Sequence, residues 1–341
     1  MSGTPGHDTR LVECVPNLSE GRDPAVVDAI AAAVAATAGV HLLDRTSDAD
    51  HHRSVLTFAG PATAVRDAME AVTAAALARI DMRLHAGAHP RIGAVDVVPF
   101  VPLGTTTMDD CVALARDYGA RVAERHGIPV FLYARAATRP ERRILADIRR
   151  PQVEGLADFL ATEAGVPDFG PRRAHPTAGA IVTGARPFLV AWNVDLDSDD
   201  VALARRIAGR VRARDGGLPG VQALGLHLVG AGRAQVSLNL LDTEATPIHA
   251  AFAAVEALAA EAGVRVHSSE LIGLIPQAAL LAAADHAGAD RSLPVAERVT
   301  AGAAAVRMRD FHPGRVLELR LAAAEAAAGA PDAGPDGAAA R

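Results

Sequence analysis

The densest run of side chains able to move protons or hold anions is HAGAHPRIGAVDVVPF, residues 85–100. It places His85, His89, Arg91 and Asp96 within twelve residues. Pro90 biases the backbone of His89 toward extended geometry, and Gly87 and Gly93 permit a close approach, so the run reads as a loop that presents an imidazole. Histidine is the side chain whose ordinary pKa, about 6.5, lets it take and return a proton at neutral pH. Arg91 is placed to hold an anionic substrate through its forked guanidinium. His85 and His89 also have the spacing of two metal ligands on a helix. Gly87 and Pro90 oppose a helix there, and no glutamate follows His85, so no metal is expected.

A second cluster lies in DRTSDADHHRSVLTF, residues 44–58, where Asp48, Asp50, His51, His52 and Arg53 fall between two strand-like segments. A hard cation prefers a tighter run of oxygen ligands than DADHH supplies, which leaves substrate or anion contact, or a solvated hairpin tip. In AQVSLNLLD, residues 234–242, Gln235, Ser237 and Asn239 alternate with Val236, Leu238 and Leu240. Three neutral hydrogen-bonding groups on one strand face suit a heteroaromatic amide, although satisfaction within the protein fits the pattern equally well. Asn193 interrupts the apolar run FLVAWNVDL in the same way.

The elements that must position these groups repeat. Strand-like segments near 10–16, 40–44, 53–59 and 93–100 and helical spacing over 24–37 and 61–79 give the order β-α-β-β-α-β. A helix near 108–125, a strand near 129–133 and helical segments near 139–148 and 151–163 follow. After 185 the same order returns: a strand in RPFLVAWNVDL, helix 198–214, strands near 221–229 and 234–241, helix 247–262 and a short strand near 264–268. The expected fold is therefore α/β (α+β), two ferredoxin-like βαββαβ subdomains side by side, spanning 1–184 and 185–325. Between them VPDFGPRRAHPTAGA, residues 166–180, is too rich in Pro and Gly for helix or strand and reads as a cleft-crossing loop. Residues 326–341 read as a disordered Ala/Gly/Pro tail.

Composition removes other classes. The 341 residues are half hydrophobic, enough for one large core or two ordinary ones. The formal charge is −6 and there is no lysine, so a general nucleic-acid binder, a lysine Schiff base and a lysine-bearing phosphate loop are all excluded. No GxSxG elbow and no GxGxxG in a strand-turn-helix context occurs. Cys14 and Cys111 form no CxxC motif. The polar opening MSGTPGHDTR lacks an apolar signal core, and no run of about 18 apolar residues occurs, so a cytoplasmic protein without membrane contact is expected.

VECVPNLSEG (12–21), HPRIGAVDVVPF (89–100), PDFGP (167–171), TGARPFLVAWNVDL (183–196), AQVSLNLLD (234–242) and SSELIGLIPQAAL (268–280) occur in that order. Together they resemble the formiminotransferase domain family of glutamate formimidoyltransferases, over about residues 10–285. The resemblance implies transfer of a formimino group from N-formimino-L-glutamate to N5 of tetrahydrofolate in histidine degradation. It implies tetrahydrofolate as co-substrate in a cleft between the two subdomains, and a homodimer. It makes His89 the catalytic histidine and puts folate contacts on Gly170, Pro171, Arg172, Arg173, Ala174, His175, Pro176, Thr177, Ala178 and Gly179. Asn193, Gln235, Ser237 and Asn239 join them as folate-binding candidates.

Asp96, or Asp48 and Asp50, can steady the cationic tetrahedral centre, while Arg53 and Arg91, with His52 nearby, are candidates for the donor carboxylates. The chain departs from some members at Thr46, where they carry an acidic residue, and at His52, where they carry Asn. Animal members continue into a cyclodeaminase domain. The residues after 320 here are low in complexity, so deamination of the product is expected from a separate protein. Formyl transfer from N-formylglutamate, formimino transfer from glycine and a non-catalytic folate-binding module are the competing readings.

Overall fold

The computed structural model describes residues 10–49, 51–87, 90–228 and 232–329. The first half begins with a strand broken by Pro16, β1 (Leu11–Cys14) and β2 (Asn17–Leu18), followed by α1 (Pro24–Ala35). Asp23 caps α1 by accepting from the Ala25 and Val26 amides, and Pro24 opens its first turn, where a missing N–H costs nothing. The hairpin β3 (His41–Asp48) and β4 (Arg53–Pro61), helix α2 (Ala62–Leu77) and β5 (Val95–Leu103) complete the expected order. Helix α3 (Met108–His126) starts on a reciprocal Thr107–Asp110 capping box and ends at Gly127, whose φ of 61° suits a residue without Cβ.

β6 (Val130–Ala134), two short helices α4 (Leu145–Arg149) and α5 (Leu156–Ala161), and β7 (Ile181–Ala185) close this half. The sheet runs β3, β4, β1/β2, β5, β7, β6; the first members are antiparallel, and β7 pairs parallel with β5 and with β6. Counting only the first four strand segments, the spatial order is fourth, first, third, second.

The second half repeats that order. β8 (Val190–Leu196), α6 (Val201–Val211), β9 (Val221–Leu228), β10 (Arg233–Leu240), α7 (Ile248–Glu261) and β11 (Val266–Ile272) form a sheet ordered β11, β8, β10, β9. Helices α8 (Gln277–His286), α9 (Val295–Ala305) and α10 (Leu317–Gly329) follow.

Two expectations need correction. The segment 166–180 does not join the halves: it leads from α5 into β7, an interior strand of the first sheet, and residues 186–189 make the connection. The expected tail from 326 is helical to Gly329, the end of α10, and residues 330–341 lie outside the described residues.

Apolar side chains of α1, α2 and α3, among them Ile30, Met69 and Tyr118, pack on one face of the first sheet against Phe58 and Phe100. Ile148, Leu156 and Leu160 cover part of the opposite face over Val97, Phe131 and Val182. The rest of that face meets the second half: Leu274, Leu317 and Leu321 pack with Leu43 and Ala59, and Arg320 Nε donates to the Leu43 carbonyl at 3.1 Å. Helix α10 thus ties the end of the chain to the first sheet.

Glu13 of β1 lies near this junction, 1% exposed. Burial pushes its carboxyl up to about 8, partly offset by Arg186 and reinforced by Glu318. Between the ordinary carboxyl value and about 8 the folded chain therefore holds a proton that the unfolded chain has released, and stability falls as pH rises through that window. Glu13→Gln lacks this loss. Its Tm relative to wild type is expected to climb with pH across the window and level off above it, as read by thermal melts at a series of pH values.

Candidate functional site

Three pieces of backbone meet at one end of the first sheet: the turn after β2, the β3–β4 hairpin tip, and the loop before β5. They form a small pocket whose lining includes Ser19, His52, Arg53, His85, Arg91 and Asp96. The two sequence clusters, 44–58 and 85–100, thus come together. His89 and Asp50 lie outside the described residues. Asp48 stays at the hairpin rim, exposed, with its carboxylate on the His51 amide at 2.7 Å and the His51 ring at 3.0 Å.

The loop that carries His89 is anchored on both sides. His52 Nδ1 donates to the Ala86 carbonyl at 3.1 Å, and its Nε2 faces Glu20 Oε1 at 3.2 Å. The ring thus bridges the loop to the turn after β2. Glu20 Oε1 also accepts from the amides of Gly21, Arg22 and Asp23 at 2.8–3.0 Å. Burial pushes the Glu20 carboxyl up, but the Asp23 and Arg22 amides, the His52 charge and the Gly21 amide together hold it below the usual value.

His85 stacks on His52, with ring centroids 4.1 Å apart and planes within 7°. Its Nε2 donates to the His52 carbonyl at 2.9 Å and its Nδ1 accepts from Arg91 Nε at 3.2 Å, which fixes one neutral tautomer. Burial first, then the charges of His52 and Arg91, lower the His85 pKa, against the pull of the His52 carbonyl.

Arg91 is 6% exposed and turns away from the role expected of it. Its Nη1 donates to Gln152 Oε1 at 2.9 Å and Glu154 Oε2 at 3.1 Å, and its Nη2 donates to Glu154 Oε1 at 2.6 Å and the His85 carbonyl at 3.3 Å. With Nε on His85, all five N–H groups are engaged, so no fork remains for a donor carboxylate. Arg91 instead braces His85. Its hydrogen bond to Glu154 holds that carboxyl below the ordinary range, against a smaller upward push from burial.

On the far side of the loop, Asp96 accepts from the Ile92 amide at 2.9 Å through Oδ1 and pairs with Arg149 through Oδ2. It is 2% exposed. Arg53 lies beside them, its pKa brought down to about 10 by burial and by the Arg149 charge, against the opposite pull of Asp96 and Asp48. A Cβ at Gly87 would stand 2.5 Å from the His51 carbonyl oxygen and 2.8 Å from the His52 Cβ. Gly87→Ala must therefore push the loop off the hairpin tip. An ångström of misplacement costs on the order of 10²-fold in rate, so a kcat loss of that size with little change in Tm is the expected result of steady-state assays and melts.

The segment 170–179 packs beside this loop. The Thr177 carbonyl accepts from Met82 and the Ala178 carbonyl from Ala94, at 2.7 and 3.0 Å. Gly170 and Gly179 have φ of 84° and 72°, and a Cβ at Gly179 would meet the Ile92 oxygen at 2.2 Å. Arg172 is occupied with the carbonyls that end α5, from Leu160 to Thr162, and His175 Nδ1 accepts from the Thr177 and Ala178 amides. Ala174 packs partly buried against the Phe131 cluster, while Pro171 is half-buried and Arg173 and Pro176 are exposed.

Asn193, Gln235, Ser237 and Asn239 are elsewhere. They line the face of the second sheet opposite its helices, Ser237 across from Asn193, with Gln235 buried and donating to Asp195 at 2.8 Å. None of the four lines the pocket. The residues missed from sequence are Glu20, Arg149, Gln152 and Glu154, which reach the site from distant segments. The one local signal was Glu20 directly before Gly21 in VPNLSEG. Among the described residues no group of three or more His, Cys, Asp or Glu side chains is placed to hold a metal.

The first sheet of this two-sheet α/β protein thus carries, at one end, a pocket lined by imidazoles, a buried carboxylate and guanidinium groups. The family model for the formiminotransferase domain, N-terminal subdomain, matches residues 11–186, and that for the formiminotransferase domain matches residues 191–306. The chain is 42% identical over 277 residues to a glutamate formimidoyltransferase of Streptococcus pyogenes serotype M1, covering 81% of this chain and 93% of that one. It is 47% identical over 273 residues to a glutamate formimidoyltransferase of Thermoplasma acidophilum, covering 80% and 90%. A formimidoyltransferase-cyclodeaminase of Rattus norvegicus is 44% identical over 282 residues, but the match spans only 52% of that longer protein. This chain belongs to the formiminotransferase family.

Proposed function

We propose that the pocket at the end of the first sheet transfers the formimino group of N-formimino-L-glutamate to N5 of tetrahydrofolate, giving 5-formiminotetrahydrofolate and L-glutamate. The observation that carries this reading is the bracing of the His89 loop from both sides. His52 holds Ala86 and Asp96 holds Ile92, beside Arg53.

N5 attacks the formimino carbon, a proton leaves N5, and the glutamate nitrogen gains one as its bond to that carbon breaks. His89 serves as the base and then the acid, since one imidazole near neutrality can do both. The tetrahedral centre is rich in nitrogen and cationic, so a carboxylate helps it more than an oxyanion hole does. Asp96 supplies that negative charge at the pocket wall while positioning the loop, with Asp48 and Asp50 at the hairpin rim. Arg53 is assigned to a donor carboxylate.

The 170–179 segment, next to the loop, and the polar face of Asn193, Gln235, Ser237 and Asn239 are assigned to tetrahydrofolate. The division into 1–184 and 185–325, a folate cleft between the sheets, a homodimer, a cytoplasmic setting, a place in histidine degradation and a separate cyclodeaminase acting on the product complete the reading. It is tested by incubating the chain with both substrates and following the methenyl derivative released by acid together with free glutamate. Equal yields of the two support it, and glutamate without a folate product, or neither, refutes it.

A further inference from the structure

Arg149 ends the five-residue helix α4 and reaches Asp96, one of the residues that line the pocket, from a segment distant from the loop in sequence. Its Nη2 pairs with Asp96, yet its Nε is buried with no hydrogen-bond partner among the described residues. A buried donor left unsatisfied is uncommon and calls for an explanation, and a guanidinium is unusually suited to a second acceptor because its donors are fixed in one plane. Asp96, which accepts from Nη2 through Oδ2 and from the Ile92 amide through Oδ1, is not paired with Nε. Arg53 stands beside the same carboxylate and close enough for the two cations to repel. Arg91, the other arginine at the pocket, is closed off by Glu154, Gln152 and His85.

We infer that Arg149 is a specificity-determining residue that, together with Arg53 and across the shared Asp96, binds a carboxylate of the glutamyl donor. The assignment rests on the formimino-transfer reading. It replaces Arg91 with a residue that still has an unsatisfied buried donor. A carboxylate arriving there satisfies Nε and relieves the repulsion between the two guanidinium groups. A donor lacking that carboxylate does neither.

The test is Arg149→Lys, which keeps the charge and a reach toward Asp96 but removes the planar fork, with Arg149→Gln as a second variant. The first readout is binding of L-glutamate, the product, by calorimetry, which needs no turnover and so separates this inference from the reaction itself. The expected result is a loss of about 10–100-fold in L-glutamate affinity, the scale of a lost charged fork, with tetrahydrofolate affinity unchanged in both variants.

The second readout is the KM of N-formimino-L-glutamate against that of its two mono-amides. Wild type is expected to discriminate against one of them, and Arg149→Lys to lose that discrimination through KM with kcat nearly intact. A purely structural role predicts otherwise: falls in kcat and in affinity for both substrates together, with discrimination retained. That pattern, or L-glutamate affinity equal to wild type in Arg149→Lys, overturns the inference. Binding of L-glutamate to wild type without any turnover refutes the formimino-transfer reading and leaves the clamp standing. If Arg149→Gln fails to fold, Arg149→Lys decides alone.

Discussion

Replacing His89 with alanine is expected to lower turnover by roughly 10²–10⁴-fold while leaving tetrahydrofolate affinity close to wild type, because that is the usual worth of a positioned general acid–base group. The two effects separate for a structural reason. The described contacts that hold the loop are made by His85, Ala86 and Arg91 before and after the histidine, and by Ile92 at its end. Steady-state rates with both substrates, with folate binding measured alongside, check the pair of outcomes. A His89→Ala protein as fast as wild type removes the base from the mechanism, and one that no longer binds folate makes the residue a binding group.

Asp96→Ala is expected to be the most destabilising single change at the site, by about 3–5 kcal/mol, the range seen when one partner of a buried ion pair is removed. The carboxylate is 2% exposed and answers Arg149, the Ile92 amide and the nearby Arg53 at once. Its loss leaves buried positive charge uncompensated and frees the end of the loop. Asp96→Asn keeps an acceptor for Ile92 but not the charge, so it is expected to recover part of the stability and little of the activity. Denaturant unfolding of both variants, compared with their kcat values, tests this. Equal stability of Asp96→Ala and wild type contradicts the assignment of Asp96 as the charge that holds Arg149.

The repeated strand order was legible because alternation and helical spacing are local, and because Pro16, Pro24, Thr107 and Gly127 mark element ends in ways that follow from backbone chemistry alone. β7 was not legible: five residues, IVTGA, emerge from a Pro- and Gly-rich run, and only pairing with β5 and β6 makes them a strand. Helices α4 and α5 proved shorter than their periodicity suggested, with Pro151 and Gly155 between them. Helix α10 was hidden in alanine-rich sequence, and its purpose depends on Leu43 and Ala59, far away in the chain.

At the site, the segments near 48–53 and 85–96 singled out by residue type do meet at one pocket, but side-chain direction is set by partners. Arg91 was assigned outward because an arginine in a loop invites that reading. Glu154 and Gln152, sixty residues later, turn it inward. His52 is itself part of the loop's support through its stack on His85 and its bond to Ala86.

The measurement that reaches the central claim most directly is a side-by-side rate comparison of N-formimino-L-glutamate, N-formyl-L-glutamate and formiminoglycine, each with tetrahydrofolate, using wild type and His89→Ala. The account predicts fast, His89-dependent formation of 5-formiminotetrahydrofolate from the first donor and little product from the other two. Folate binding with no turnover of any donor, or turnover of N-formimino-L-glutamate that survives the loss of His89, contradicts it.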